Sequence, residues 1–356
     1  MAMFAQRIPW FLFGLQAGAV VDRVDRKRLI VIVDLLRAIV IGLLAASIAL
    51  DIVSLPIIYT AMFLLGTGET FADNARSTLV ATAVPREGLG PANARLFGTQ
   101  IVTNQLAGPP LGALIFAAGA ALPFGADAIS FVLAAMLISR VTHERPITDA
   151  EKHSVRSQVI EGLRWLASHP PVRTLVIMIT AFNITFGAAF GIWVLYATER
   201  LGLSELGFGA LLACTAVGGL IGSMLFGSLE KRATYATLLR IGLIFETFTH
   251  LMLALTRSYL VAGVVMVLFG VHAIVWGTTS TTVRQKSVPA SLLGRVNSAH
   301  MLGSFGALAL GSMLGGAIAS RWGVIAPFWF AFAGSGAILL VVWRSIGYVT
   351  QQAEEG

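Results

Sequence analysis

Charge is what this sequence has least of. Only 12% of its 356 residues are Asp, Glu, Lys or Arg, about half the roughly 25% of a soluble domain, while 56% are hydrophobic and the mean hydropathy is +0.80. A water-soluble globule is excluded, and the chain reads as an all-α polytopic membrane protein. Cysteine is nearly absent as well. Cys214 stands alone inside an apolar run, which excludes an internal disulfide and a thiolate metal cluster and leaves a small packing residue. There is no nucleotide-binding P-loop, so ATP hydrolysis in this chain is not an energy source. No metal-ligand cluster is spaced along the sequence, and no Ser or Cys nucleophile stands beside the few intramembrane histidines. The expectation is therefore no catalytic residue, no metal, no cofactor and no enzyme. A basic n-region ahead of the first apolar run is missing too, so no cleavable signal is indicated. The net charge of +7 comes from cations in short loops between apolar runs, not from a stripe or tail, which sets nucleic acid aside as a partner.

Windows of about 20 apolar residues place spans near 5–21, 29–50, 55–80, 93–118 and 121–141, then near 172–197, 206–229, 235–255, 259–284, 292–319 and 325–347. That is about eleven transmembrane helices, five before a polar stretch and six after it. The organisation expected is an N-terminal half over 1–141, a linker over 142–171, a C-terminal half over 172–347 and a tail over 348–356. Within the linker, Thr142–Ser154 is polar. Val155, Val159, Leu163 and Leu166 then recur at helical spacing, with Arg156 and Arg164 available to the polar side. This predicts a short amphipathic helix on the membrane face, ended by Pro170 and Pro171.

The stretch Gly18–Arg28, GAVVDRVDRKR, packs Asp22, Arg23, Asp25, Arg26, Lys27 and Arg28 between the first two apolar runs. A cationic turn that tight reads as cytoplasmic, because Lys and Arg are retained on that side. With this turn inside, only Arg7, Arg200, Arg257 and Arg321 of the 25 cations fall at outer ends, and the C-terminus is cytoplasmic.

The two halves repeat. A shift of 204 residues aligns 84–119 on 288–323 without gaps, with identities at Val84, Pro85, Leu89, Gly90, Asn93, Leu106, Gly112, Ala113 and Gly119. The same shift pairs Gly66 with Gly270 and Arg140 with Arg344. Two pseudo-symmetric copies of one helical unit describe the chain. The span at 172–197 would have its partner upstream of Met1, so the sequence is expected to begin one helix late.

Parallel repeats of helices around a midplane site are the plan of the major facilitator superfamily. The turn resembles that superfamily's signature loop: a small residue, three apolar positions, Asp-Arg and a basic cluster, here Gly18, Asp22, Arg23, Arg26 and Lys27. DRVDRKR followed by Asp34 and Arg37, DNARS at 73–77, GADAISF at 125–131 and GRVNS at 294–298 are similar to the branch containing bacterial macrolide-efflux and enterobactin-export proteins. The resemblance covers nearly the whole chain. It implies an inner-membrane monomer that exports an amphipathic small molecule, such as a drug, macrolide or siderophore, by alternating access in exchange for protons. An uptake permease of the same fold and a transport-dead membrane scaffold stay open as alternatives. The Gly-Pro-x-x-Gly-Gly ending of proton-coupled exporters is matched in part by Gly108, Pro109 and Gly112, with Ala113 in place of the last glycine. A plain helix kink explains it nearly as well.

In the gate that the signature loop implies, Asp22 bonds to the start of the span near Leu292, with Arg295 close by, and releases it on opening. Gly18 allows close packing there. Glu69, Asp73 and Arg76 lie at i, i+4 and i+7 on one helix face. Counting about 1.5 Å per residue from Leu55 puts Glu69 about 21 Å deep, past the middle of a roughly 30 Å layer. Arg76 is expected to pair with Asp73, leaving Glu69 to carry the coupling proton. A self-satisfied structural network is the competing reading. Asp127 matches the family pattern and suits a proton-linked or a structural role equally. Glu246 and His250, one turn apart, suit proton sharing, yet the resemblance puts their span at the periphery and favours structure. The same resemblance puts His272 on a cavity-lining helix, where a lone His is more often a packing residue or hydrogen-bond partner than a carrier; Asn183 and Phe186 lie on an aromatic span that suits a large hydrophobic substrate, though aromatic spans are also ordinary in lipid.

Overall fold

The computed structural model describes residues 2–141 and 155–354. The polar linker expected at Thr142–Ser154 and the last residues of the tail lie outside the described residues. Among the described residues every regular element is helical and none is a strand, as expected where a bilayer offers backbone groups no water. In order they are α1 (Ala2–Arg23), α2 (Arg26–Ala49), α3 (Leu55–Ala83), α4 (Leu89–Ile101), α5 (Gly108–Ala118), α6 (Leu122–Ser139), α7 (Val155–Ser168), α8 (Pro170–Phe190), the single turn α9 (Trp193–Leu195), α10 (Glu205–Glu230), α11 (Tyr235–Leu255), α12 (Tyr259–Ser287), α13 (Leu293–Trp322), α14 (Ala326–Val342) and α15 (Ser345–Glu354).

Local chemistry sets many of their ends. Asp25 caps α2 by accepting from the Arg28 amide at 3.0 Å, and Ser204 and Thr234 cap α10 and α11 in the same way. Proline occupies the first turn of α3, α6, α8 and α14, where its missing N–H costs nothing.

Among the described residues eight helices, α2, α3, α6, α8 and α10 to α13, are long and apolar enough to cross a membrane. The number rises to nine if α14 and α15, bent by 64° at their junction, form one span. The expected eleven is not reached on this measure. The remaining two are α1 and the segment 93–118. The latter is divided into α4, a π-helical stretch Val102–Ala107 and α5, so no unbroken apolar helix crosses there. Outward-facing side chains such as Leu43 (66% exposed), Leu114 (70%) and Leu340 (80%) are those of a surface solvated by lipid.

The chain forms two compact units that cut across the sequence halves. One consists of Met1–Pro85, Pro109–Ser168 and Val288–Leu302. In it α1 packs on α3 and α7, and α2 on α3 and α6, around Val21, Ile30, Ala75 and Leu79. The other consists of Arg86–Gly108, His169–Ser287 and Gly303–Gly356. Here α12 packs on α10 and α11, α14 on α8 and α11, and α4 on α10 and α12. Each unit has taken in a segment from the opposite half, and the two segments overlap in the internal repeat.

Polar contacts hold both segments. Buried Asn297 donates through Nδ2 to Asn74 Oδ1 at 2.8 Å in the first unit. Its repeat mate Asn93 donates to Gln285 Oε1 at 2.7 Å and to Thr282 Oγ1 at 3.1 Å in the second. A buried amide in apolar surroundings is costly unless bonded, so these partners fix where each segment packs.

Candidate functional site

The signature loop is buried against the first turn of α13 within the first unit. Asp22, at the end of α1 and beyond the expected span, is 5% exposed. Its Oδ1 accepts from the Gly294 amide at 3.0 Å and its Oδ2 from the Arg295 amide at 3.2 Å. These are free donors of the first turn of α13, so the carboxylate caps a helix distant in sequence. The Arg295 guanidinium Nε lies 3.2 Å from Oδ2 and Arg26 lies 3.8 Å from Oδ1. Burial pushes the Asp22 carboxyl up to about 6, against the opposing pull of the Gly294 amide, Arg295 and Arg26.

Arg26, 2% exposed, also donates to the Ala290 carbonyl at 2.9 Å, and Lys27 donates to that of Val141 at 2.9 Å. Arg23 is half-buried at the end of α1. Gly18 is required by space: a Cβ there would run into the Gly294 carbonyl oxygen and Ser298 Oγ. Arg295 turns its other nitrogen to Glu161 on α7 at 2.8 Å, a partner that the sequence did not point to. The amphipathic helix is present as α7, and the face it buries is at Gly162, against the Arg295 side chain.

The α3 ladder is wired differently from the expected pairing. Arg76 does reach Asp73 at 3.2 Å, but its other nitrogen makes a two-oxygen contact with Asp34 of α2, at 2.8 and 2.9 Å. Asp34 is fully buried and lies 3.6 Å from Arg37, whose guanidinium rests over the Phe131 ring at 4.2 Å. Glu69 is not left alone: it accepts from Gln6 at 3.3 Å and lies 3.9 Å from Arg7. Three carboxylates thus face three guanidiniums. Asp127 lies apart, exposed, accepting from Ser130 Oγ at 3.2 Å.

In the second unit the π-helical stretch ends at Ala107 and is capped by Gly108, where a Cβ would strike the Thr103 carbonyl oxygen; at Gly112, in the first unit, nothing would be in the way. Widening of the helix before Gly108 ends the irregularity two residues ahead of Pro109.

A cavity of about 170 Å³ is lined by Phe182, Asn183, Phe186, Phe269, Trp276 and, as its ionisable part, Glu246 with His272. The cavity brings together Asn183, Phe186 and His272. Asn183 spends its Nδ2 on the Ile179 carbonyl at 2.8 Å, leaving its oxygen as the free polar group. Phe186 stacks on Phe190 at 4.4 Å and on Phe269 at 5.8 Å.

His272 Nε2 lies 2.9 Å from Glu246 Oε2, and His250 Nε2 lies 3.3 Å from Oε1. Reading His272 as a lone ring and Glu246 with His250 as a separate pair divided one cluster in two. A depth argument finds it: Glu246 and His272 each lie within one residue of the midpoint of their helices, α11 and α12, which pack together. Among the described residues no group of three or more His, Cys, Asp or Glu is arranged to hold a metal ion.

A family model described as "Transmembrane secretion effector" matches residues 1–353. Among curated proteins the chain is similar to the multidrug efflux pump Tap of Mycolicibacterium fortuitum, at 27% identity over 91% of this chain and 81% of that protein. It is also similar to the enterobactin exporter EntS of Shigella flexneri, at 25% identity over 92% of this chain and 77% of that protein. Among solved structures, a bacterial homologue of the iron transporter ferroportin in an outward-facing state superposes with a TM-score of 0.76 at 18% identity, covering 97% of this chain and 89% of that one. At that identity the match speaks for the fold alone.

Proposed function

This chain belongs to the transmembrane secretion effectors of the major facilitator superfamily, a family of membrane transporters and not enzymes, and from that premise we propose that it exports an amphipathic small molecule in exchange for protons. It works from a bacterial inner membrane, as a monomer, with the Gly18–Arg28 turn and the C-terminus on the cytoplasmic side. Efflux is favoured over uptake because the relatives described as pumps and exporters align over most of their length.

One observation carries the mechanism. The buried Asp22 carboxylate takes two backbone donors from the first turn of α13. Such a contact is stable when made and loses nothing irreplaceable when broken, since water satisfies both sides on opening. Alternating access needs a device of that kind. The ladder of Glu69, Asp73 and Arg76 is assigned the proton step, and Glu69, held by Gln6 at 3.3 Å and Arg7 at 3.9 Å, is the acid with the weakest contacts and the one taken as the carrier.

The test uses the full chain in proteoliposomes with an imposed pH gradient and a panel of amphipathic drugs. Wild-type protein moves at least one compound against the proton flow, and Glu69→Gln keeps binding and folding but loses the gradient dependence. Movement with the proton flow would make the chain an uptake permease. Gradient dependence unchanged in Glu69→Gln removes that residue from the mechanism.

A further inference from the structure

A carboxylate at the middle of two apolar helices is costly and persists where something uses it. Glu246 is 8% exposed and stands between two imidazoles, His272 at 2.9 Å and His250 at 3.3 Å. Both rings direct Nε2 at the carboxylate instead of at a shared third point. His272 makes the hydrogen bond and His250 a looser contact with the other oxygen, and among the described residues no coordination site lies between the three. Beyond the carboxylate lie aromatic rings: Phe182, Phe186, Phe269 and Trp276 line the same cavity.

We propose that this cavity binds a lipophilic organic cation, an aromatic amine or the ammonium head group of a larger amphipath, whose charge replaces a proton otherwise held by Glu246 and its two histidines. The inference rests on the reading of the chain as a proton-coupled exporter and narrows its substrate class.

The charge balance drives the exchange. With both rings neutral and Glu246 ionised, the cluster carries one negative charge; one added proton neutralises it. A bound cation also neutralises it, but cation and proton together leave a net positive charge in a poorly solvated site. The two therefore exclude each other. Aromatic rings favour the cation over a neutral molecule of equal shape wherever it reaches a ring face, because the face is the negative side of the ring.

Among the described residues no other ionisable side chain lines the cavity; of the helices packed on α12, α10 carries Glu205, Cys214 and Glu230 and α4 carries Arg95. On α11 the other titratable groups are Tyr235 and Arg240, and Arg240 lies about 9 Å further along the axis. On α8 there is Arg173 in the first turn; on α12, Tyr259 at one end and Arg284 and Lys286 at the other. The sequence of α14 contains none, and α15 carries Tyr348 and Glu354. The cavity of about 170 Å³ takes one small aromatic cation or one head group.

The probe is benzyltrimethylammonium, whose permanent charge does not titrate. It is added to the full chain in nanodiscs and followed by isothermal titration calorimetry across about pH 5 to 9, a range that brackets imidazole titration. The affinity should weaken about tenfold per pH unit on the acid side of the cluster's midpoint, and about one proton should be released per cation bound near it, read from buffers of different ionisation enthalpy. Glu246→Gln should lose at least about tenfold in affinity and release no proton. Phe186→Leu leaves the charges intact and should weaken binding while the proton count stays the same; it decides the matter if the Gln variant does not fold.

No cation binding at any pH, binding without proton release, or equal binding by Glu246→Gln overturns the proposal. Parallel flux measurements separate it from the exporter reading. Proton-driven export of the drug panel without cation binding removes this site alone. Cation binding with proton release, but no gradient-driven export of any compound, removes the exporter reading and leaves the site.

Discussion

Replacing Asp22 with alanine removes the acceptor on which the proposed gate depends. The Gly294 and Arg295 amides, at 3.0 and 3.2 Å, lose their partner. Arg26, almost fully buried, keeps only the Ala290 carbonyl among its contacts described above. Each buried donor left unsatisfied costs about 1–3 kcal/mol, less once the segment opens to water. Taking the lower part of that range for two amides and a guanidinium gives about 3 kcal/mol, or on the order of a hundredfold shift towards the released state.

Ser298, 1% exposed and placed where a Cβ on Gly18 would fall, reports the change directly. In a Cys214→Ser background, Ser298→Cys should react with a membrane-impermeant maleimide on the order of a hundred times faster when Asp22 is also replaced by alanine. A rate within about twofold of the Asp22 protein would refute the reasoning, because a contact worth so little holds nothing closed.

Two further outcomes follow from the same unit. The Asp22 carboxyl is raised from 3.8 to about 6 in the folded chain. Its stabilisation is therefore fully present below about pH 3.8 and is lost as pH rises through about 6, at most about 3 kcal/mol. Thermal unfolding of wild type and Asp22→Ala between these limits should show the wild-type advantage growing as pH falls; a constant difference would exclude the linkage. Arg76→Leu leaves fully buried Asp34 with Arg37 at 3.6 Å as its remaining guanidinium. Removing one partner of a buried charge costs up to about 3–5 kcal/mol, less where a second guanidinium remains as Arg37 does, so the melting temperature should drop; a melting temperature equal to wild type would show that Asp34 is not held by Arg76.

Much of this protein is written in its composition and periodicity. Long apolar runs admit only helices in a bilayer, because each span must satisfy its own backbone. Short cationic loops mark their ends, and the residue types of the proposed gate followed from the resemblance of Gly18–Lys27 to the family's signature loop, where an acid suits capping a helix terminus and a glycine suits close approach. The 204-residue repeat even singled out Asn93 and Asn297 as mates.

Partners lay beyond the sequence. Nothing in the i, i+4, i+7 spacing of Glu69, Asp73 and Arg76 says that Arg76 turns to Asp34, forty-two residues away. Nor does it say that Glu161 from α7 takes the free side of Arg295, or that the Glu230 carboxylate stands against Gly90 as Asp22 does against Gly294. Helical periodicity states which residues share a face but is silent on which face meets which. That choice is made by packing, where small residues let backbones approach and each buried charge or amide selects the nearest group able to satisfy it. For the same reason Glu246, His250 and His272 became one site only when α11 and α12 were laid side by side.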